Sequence, residues 1–310
     1  MEILFILTLA LFLDLLPGDP PTAVHPVGWM GKIIAFLERF NPERSKTASL
    51  IYGTVIVIFV VALFVTPVYF LLGYLEETNQ IIYIIVGALL LKLTISLKGL
   101  GHSAQNIRHR LEKDDLAGAR SYIPALVSRN PDDLDQHQTV AATVESVAEN
   151  TSDSFVAPLF WFLVLGIPGA VGYRVVSTFD SMIGYRGGYE YIGKFAARLD
   201  DVLNLIPARL TAVMIVAASF PAQKKVRSAW RTMMKEHSKT QSPNAGWPMA
   251  AAAGALEVQL EKPGHYKLGK PVKRLTIRTI NQMVIIMYLV AAIWILVCFA
   301  TEGVKIAFTP

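Results

Sequence analysis

Three stretches of this chain, residues 49–75, 81–97 and 283–300, run almost unbroken in apolar side chains. Each approaches the ~20 apolar residues a helix needs to cross hydrocarbon, so the pattern predicts three membrane helices. Lys92 is the one charge in the second of them, and it is expected either to snorkel to the interface or to face the bundle interior. Residues 3–16 are also apolar, but a helix of that length reaches only ~21 Å at 1.5 Å per residue, short of a ~30 Å core. It is not expected to cross alone. Glu2 in place of Lys or Arg, and no A-x-A site before Asp14, argue against a signal peptide.

Two further apolar stretches are interrupted. Residues 155–173 carry Pro158, Gly166, Pro168, Gly169 and Gly172, and residues 205–220 carry Pro207 and Arg209. Irregular backbone at membrane depth survives only where protein or a water-filled cavity satisfies it, and such interruptions often mark substrate or ion sites; ordinary kinked helices are the plainer reading. The polar segments between the runs also read as helical, with little alternation that would suggest strands. Leu97, Leu100, Ala104, Ile107 and Leu111 line one side of a helix whose other side shows His102, Arg108 and Lys113. Asn130-Pro131-Asp132-Asp133 has the form of a helix start. A second helix, near 191–206, carries an apolar stripe of Ile192, Phe195, Ala196, Leu199, Val202, Leu203 and Ile206 opposite Lys194, Arg198, Asp201 and Asn204. The fold class expected is therefore all-α: a polytopic membrane bundle with broken or re-entrant helices and cytoplasmic amphipathic helices, in one domain over 1–310.

Composition agrees. Apolar residues make up 53% of the chain and charged residues 17%, against roughly 25% charged in soluble domains. Glu76 and Glu77 sit in a short connection without Lys or Arg, so that connection should face outward. Segments 17–48, 98–153 and 223–280 then lie in the cytoplasm, and the +5 net charge fits basic loops beside anionic lipid without invoking nucleic acid. Two full crossings at 155–173 and 205–220 would put Arg174, Arg186, Lys194 and Arg198 outside, so both are read as re-entrant or interfacial, with 174–204 on the cytoplasmic side. The single cysteine, Cys298, excludes an intramolecular disulfide.

Candidate chemistry concentrates at Glu145, Glu149, Asn150 and Asp153, which lead straight into a broken apolar stretch. Like charges at i and i+4 destabilise an isolated helix, so a cation or basic partner between them is one explanation and a solvated acidic face is the other. The segment 177–185, followed by Gly187 and Gly188, contains Asp180 and glycines that permit close backbone approach. Lys194 and Arg198 suit an anionic group such as phosphate, or an ion-pair network with Asp200 or Asp201. Asp14 and Asp19-Pro20, then His25-Pro26, follow the short first apolar segment, with Asp19 and His25 as candidate ligands or turn formers, and Trp247 lies in the segment 244–249 ahead of an Ala-rich run. Walker A, HExxH, CxxC and GxSxG motifs are absent.

At these residues the chain resembles the adenosylcobinamide-phosphate synthase (cobinamide synthase) family of cobalamin biosynthesis. The resemblance is collinear and nearly full length. It runs through 14–26 (DLLPGDPPTAVHP), Ser128-Arg129, 144–153 (VESVAENTSD), 157–160, 168–170, Tyr173-Arg174, 178–185, 197–209 (ARLDDVLNLIPAR) and 244–254. Ser154 and Ser177 depart from the family pattern, which has Gly and Asn at those places, and Ser177 weakens a side-chain role there.

The resemblance implies a multi-pass cell-membrane ligase that uses ATP and Mg2+ to join the carboxylate of adenosylcobyric acid to aminopropanol or aminopropanol phosphate, through an acyl phosphate. On residue type and position, Glu145, Glu149 and Asp153 are expected to hold the metal where carboxylates converge at the interface. Asp180, Asp201, Lys194 and Arg198 are expected at the chemistry. Arg129, Arg174, Arg209 and Asn150 are expected to bind the nucleotide. Trp247 and the broken segments are expected to offer the corrinoid a partly lipid-facing platform, and association with other late corrinoid-pathway membrane enzymes is a further expectation. A metal-dependent intramembrane phosphotransferase and a transporter remain the alternatives.

Overall fold

A computed structural model describes residues 1–16, 18, 25–42, 45–123, 134–185 and 187–308. Helix dominates, and four helices are long and apolar enough to cross a membrane: 46–78, 80–111, 136–183 and 277–308. A bent pair, 194–203 with 205–218, makes a fifth if counted as one span. The architecture is the expected all-α polytopic bundle. By its contacts the chain divides into two compact units: 1–96, 157–203 and 298–310 form the first, and 97–156 with 204–297 the second.

In the first unit, α1 (Glu2–Leu15) is the short apolar helix, and α4 (Gln80–Lys92) packs along it. Gln80 donates to Glu2 at one end, and Lys92 Nζ lies 2.9 Å from Asp14 Oδ1 at the other. Both pairs are separated by 78 residues, so the two helices run parallel and in step. Lys92 therefore takes the interior alternative. Asp14 is 1% and Lys92 5% exposed.

Helix α2 (Pro26–Glu38) starts at His25, whose Nδ1 accepts from the Val27 amide while Pro26 fills the first helical position. His25 is thus at least a capping residue. Helix α3 (Lys46–Thr78) is capped by Ser45, whose Oγ accepts from the Ala48 amide. Met30 and Ile34 of α2 meet Ile56, Val57 and Val60 of α3 and Val175, Phe179 and Ile183 of α8 (Ala157–Ile183). Ile192 and Ala196, the latter in α9 (Lys194–Leu203), close this core. Helix α8 is broken at Gly166, whose φ of 66° and ψ of −164° suit glycine alone. The carbonyl of Leu163, just ahead of the break, accepts from Lys305 Nζ at 2.9 Å.

The second unit begins with α5 (Leu97–Leu111), where Leu97, Leu100, Ala104, Ile107 and Leu111 are all buried and His102 and Lys113 exposed, as the periodicity predicts, while Arg108, expected on the same side as these two, is half-buried. After α6 (Leu116–Tyr122), α7 (Gln136–Thr151) opens with a capping box: Asp135 Oδ1 accepts from the Gln138 amide and the Gln138 side chain accepts from the Asp135 amide. The start expected at 130–133 lies outside the described residues. A π-helical turn, Ser152–Val156, follows α7. Helices α10 (Leu205–Ala218), α11 (Val226–Glu236) and α12 (Gly246–Leu256) pack on one another, and a three-residue hairpin of β1 (Leu260–Lys262) and β2 (Tyr266–Leu268) precedes α13 (Ile277–Phe308).

Three expectations need correction. The polar segments between the apolar runs are not purely helical, because the hairpin turns at Pro263-Gly264; strands of three residues are too short to show alternation, but Pro-Gly is a turn signal. The helix expected over 191–206 ends at Leu203 and the chain bends by 49° into α10. The stripe loses its face around that bend: Val202, still in α9, and Ile206, past it, are exposed, and Asn204, expected on the polar side, is 2% exposed. Among the glycines of 177–188, close approach belongs to Gly184, where a Cβ would strike the carboxylate and carbonyl of Asp180. Gly187 and Gly188 face open space, and Gly187 instead supplies a φ of 95°.

Candidate functional site

Helix α7 is buried along almost its whole length, and several of its polar residues bond within their own helix. Thr139, Thr143 and Thr151 each return a hydroxyl hydrogen bond to the carbonyl four residues back. Asn150 does the same with its amide, donating to Ser146 O and Oγ at 3.0 Å. This spends the Asn150 donors on its own helix, leaving only its carbonyl oxygen for a ligand.

The acidic rank is graded. Glu145 is 2% exposed, and its Oε2 accepts from the Tyr266 hydroxyl at 3.2 Å. Glu149 and Asp153 are half-buried, the latter in the π-helical turn. Such turns are rare and occur most often at functional sites. Residues i and i+8 on a helix are ~12 Å apart along its axis, so Glu145, Glu149 and Asp153 cannot close on one ion as the three-carboxylate centre expected. Among the described residues no group of three or more His, Cys, Asp or Glu is placed to hold a metal. Neighbouring carboxylates one turn apart still match magnesium, which takes one or two carboxylates and fills its shell with water and substrate phosphate. Glu149 and Asp153 have that spacing, and Glu145, engaged by Tyr266, lies one turn before them. Tyr266 is the residue the sequence reading missed.

Arg209 is placed in the same unit with little freedom. Its guanidinium donates to Leu205 O at 2.5 Å and Asn244 Oδ1 at 3.3 Å, and lies over the Trp247 ring at 4.9 Å. The His237 imidazole stacks on that ring at 3.8 Å and 16°. Trp247 is therefore occupied by His237 and Arg209, which corrects the expectation that it forms a lipid-facing platform. Burial, and then the nearby Arg209 charge, hold the His237 pKa below 6.5. The neutral imidazole is favoured in the fold, so below about pH 6.5 the unfolded chain binds the extra proton and stability falls with acidification. His237→Gln should lose less thermal stability than the parent between pH 7.5 and 5.5, measured by thermal unfolding in detergent; equal losses would refute this.

In the first unit, Lys194, Arg198 and Asp201 share one side of α9, with Lys194 and Arg198 exposed. Arg198 Nη1 is 3.8 Å from Asp201 Oδ2, a loose pair. Asp201 is near enough to Asp180 of α8 for their charges to interact. The Trp161 indole donates to Leu203 O at 3.2 Å and so satisfies a carbonyl at the end of α9. Arg174 is half-buried on α8, one turn before Thr178, which hydrogen bonds to its carbonyl. Arg129 and Asp19 lie outside the described residues.

Comparison with known proteins gives a consistent result. A family model described as CobD/Cbib protein matches residues 7–287. The chain is 55% identical over 297 residues to the cobalamin biosynthesis protein CobD of Dehalococcoides mccartyi, covering 96% of each. It is 42% identical over 267 residues to the probable cobalamin biosynthesis protein CobD of Methanothermobacter thermautotrophicus, covering 86% of each. Over 274 residues it is 38% identical to the probable counterpart from Methanocaldococcus jannaschii, covering 85% of this chain and 87% of that one. No solved structure matches significantly.

Proposed function

We propose, from the premise that this chain belongs to the CobD/Cbib family of cobalamin biosynthesis, that it is the membrane-bound ligase that forms an amide between adenosylcobyric acid and 1-amino-2-propanol or its O-phosphate. The observation that carries the reading is the acidic edge of α7 and the π-helical turn, where Glu149 and Asp153 stand one turn apart at the end of a buried helix. ATP and Mg2+ would supply the activation that a carboxylate needs before an amine can displace an oxygen from it.

The chain's own residues do the rest. Glu149 and Asp153 hold magnesium, with Glu145 fixed behind them by the Tyr266 hydroxyl. Arg209 presents a fixed positive charge to nucleotide phosphate, its orientation set by Asn244 and the Trp247 ring. Its orientation is determined before the ligand arrives, so less entropy is lost on binding. Asp180 and Asp201 orient the ammonium group of the amine and accept its proton, and Lys194 and Arg198 receive the phosphate when the amine is phosphorylated.

The purified full chain in lipid nanodiscs, given ATP, magnesium, adenosylcobyric acid and either amine, should yield the amide by mass spectrometry with one ATP consumed per product, and none when magnesium is chelated. A product carrying only a transferred phosphoryl group, or no amide with either amine under any metal condition, would overturn the proposal.

A further inference from the structure

The first unit contains a cavity of about 740 Å3 at the end of the bundle where α3 passes into α4. The N-terminal turn of α1, the break in α8 and the C-terminal end of α13 supply its other walls. Its volume lies within the roughly 300–1,000 Å3 typical of ligand cavities. Two charged side chains of the lining are committed to each other: Glu302, only 3% exposed, pairs with Lys305 at 2.6 Å, and Lys305 also donates to the Leu163 carbonyl at 2.9 Å. Glu76 and Glu77 line the same cavity, and among the described residues their carboxylates make no ion pair or hydrogen bond. Two negative charges of the wall thus stay without a counter-charge. The carbonyl end of the first half of α8 borders the cavity at Leu165-Gly166 and adds to the negative potential.

Five aromatic rings share this lining: Tyr69, Phe70, Tyr74, Tyr83 and Phe162. A ring face attracts a cation, so rings and carboxylates select the same sign of charge. The lining is also graded along the membrane normal. Glu76 and Glu77 sit in the last turn of α3, one residue before Asn79 separates it from α4, where the chain turns back between two membrane-spanning helices. Phe70 lies six residues earlier than Glu76, ~9 Å deeper along the helix. Phe70, Val164 and Leu165 all belong to the lining and are exposed, which on helices that cross a bilayer sets them against acyl chains. One wall therefore offers negative charge at the membrane boundary and apolar surface below it.

We propose that this cavity holds a phospholipid with a primary-ammonium headgroup, phosphatidylethanolamine, its ammonium on Glu76 and Glu77 and its acyl chains along Phe70, Val164 and Leu165. A soluble amine would satisfy the carboxylates but leave the apolar wall uncovered, and an anionic lipid would bring like charge to them. A choline headgroup is cationic but has no N–H to donate, and charge-assisted hydrogen bonds are the strong ones. The site does not depend on the proposed ligase chemistry, since none of these residues is assigned to it.

The full chain in nanodiscs of equal phosphatidylethanolamine and phosphatidylcholine should retain phosphatidylethanolamine by about tenfold in native mass spectra, the scale of one hydrogen bond to a charged group. Replacing both carboxylates, Glu76→Gln with Glu77→Gln, should bring the ratio close to one. Removing two exposed acids elsewhere, Glu112→Gln with Glu190→Gln, should leave it unchanged. Gly73 provides a second variant, because it lines the cavity and a Cβ there would meet nothing within 4 Å. Gly73→Phe should fill the space without a clash and also abolish the preference, which lipid bound elsewhere on the surface would not show. If that variant does not fold, the carboxylate pair alone decides. Equal retention of the two lipids by the parent, or a preference that survives in either folded variant, would overturn the proposal. So would loss of the preference to excess soluble phosphoethanolamine, which would make the occupant a free amine.

Discussion

Replacing Asp14 by Asn, or Lys92 by Met, should each destabilise the protein by about 3–5 kcal/mol, because either change takes the partner at 2.9 Å away from a buried charge. The pair sits at 2.9 Å with both side chains almost fully buried, where water cannot compensate the survivor. In a membrane bundle an interior ion is costly to leave without so close a partner. The thiol of Cys298 is buried in the same unit, so a thiol-reactive fluorophore reports unfolding directly. Each single variant should lower the midpoint by roughly 10 °C. The double variant should recover to within about 1 kcal/mol of the parent, since a neutral pair of similar volume has no desolvation cost. A double variant as unstable as the singles would show that the two residues act through other partners. One that is stable but inactive would place Asp14 or Lys92 in the chemistry, beyond holding α1 and α4 in register.

That pair also shows where sequence reasoning reached its limit. The long helices were legible because span length and apolarity are local properties, and α5 because its apolar residues recur at helical spacing. Lys92 could be narrowed to two fates, but choosing between them needed a partner 78 residues away. Asp14 was visible only as a polar residue at the end of a short helix. The same holds at the acidic edge: Glu145, Glu149 and Asp153 stood out by type and spacing, yet their unequal burial and the π-helical turn come from packing against α10 and the hairpin. Tyr266 was hidden because its strand is three residues long, and the Arg209–Trp247–His237 stack because its members are spread over 39 residues. Ile206 misled because a stripe extrapolated through Asn204 assumes a straight helix, whereas the chain bends there.

The acidic edge also allows an ordering of effects that a generic cluster of charges would not produce. If Glu149 and Asp153 hold the metal, Glu149→Gln and Asp153→Asn should each reduce amide formation by at least about a hundredfold at saturating ATP, the scale on which loss of electrostatic stabilisation is felt. Both side chains are half-buried at the edge of α7, so these near-isosteric changes should leave the thermal midpoint within about 1 kcal/mol of the parent. Glu145→Gln keeps an acceptor for the Tyr266 hydroxyl and removes a charge behind the pair, so its loss should be intermediate. Tyr266→Phe removes only the hydroxyl that fixes Glu145, and a positioning role of this kind predicts a loss of about tenfold or less. Raising magnesium should recover much of that loss in Tyr266→Phe but little in Glu149→Gln or Asp153→Asn, because a misplaced supporting carboxylate weakens affinity whereas a missing ligand removes the site. Product formation titrated against magnesium for the four variants tests this order. Near-normal turnover in both Glu149→Gln and Asp153→Asn would remove the metal from the acidic edge.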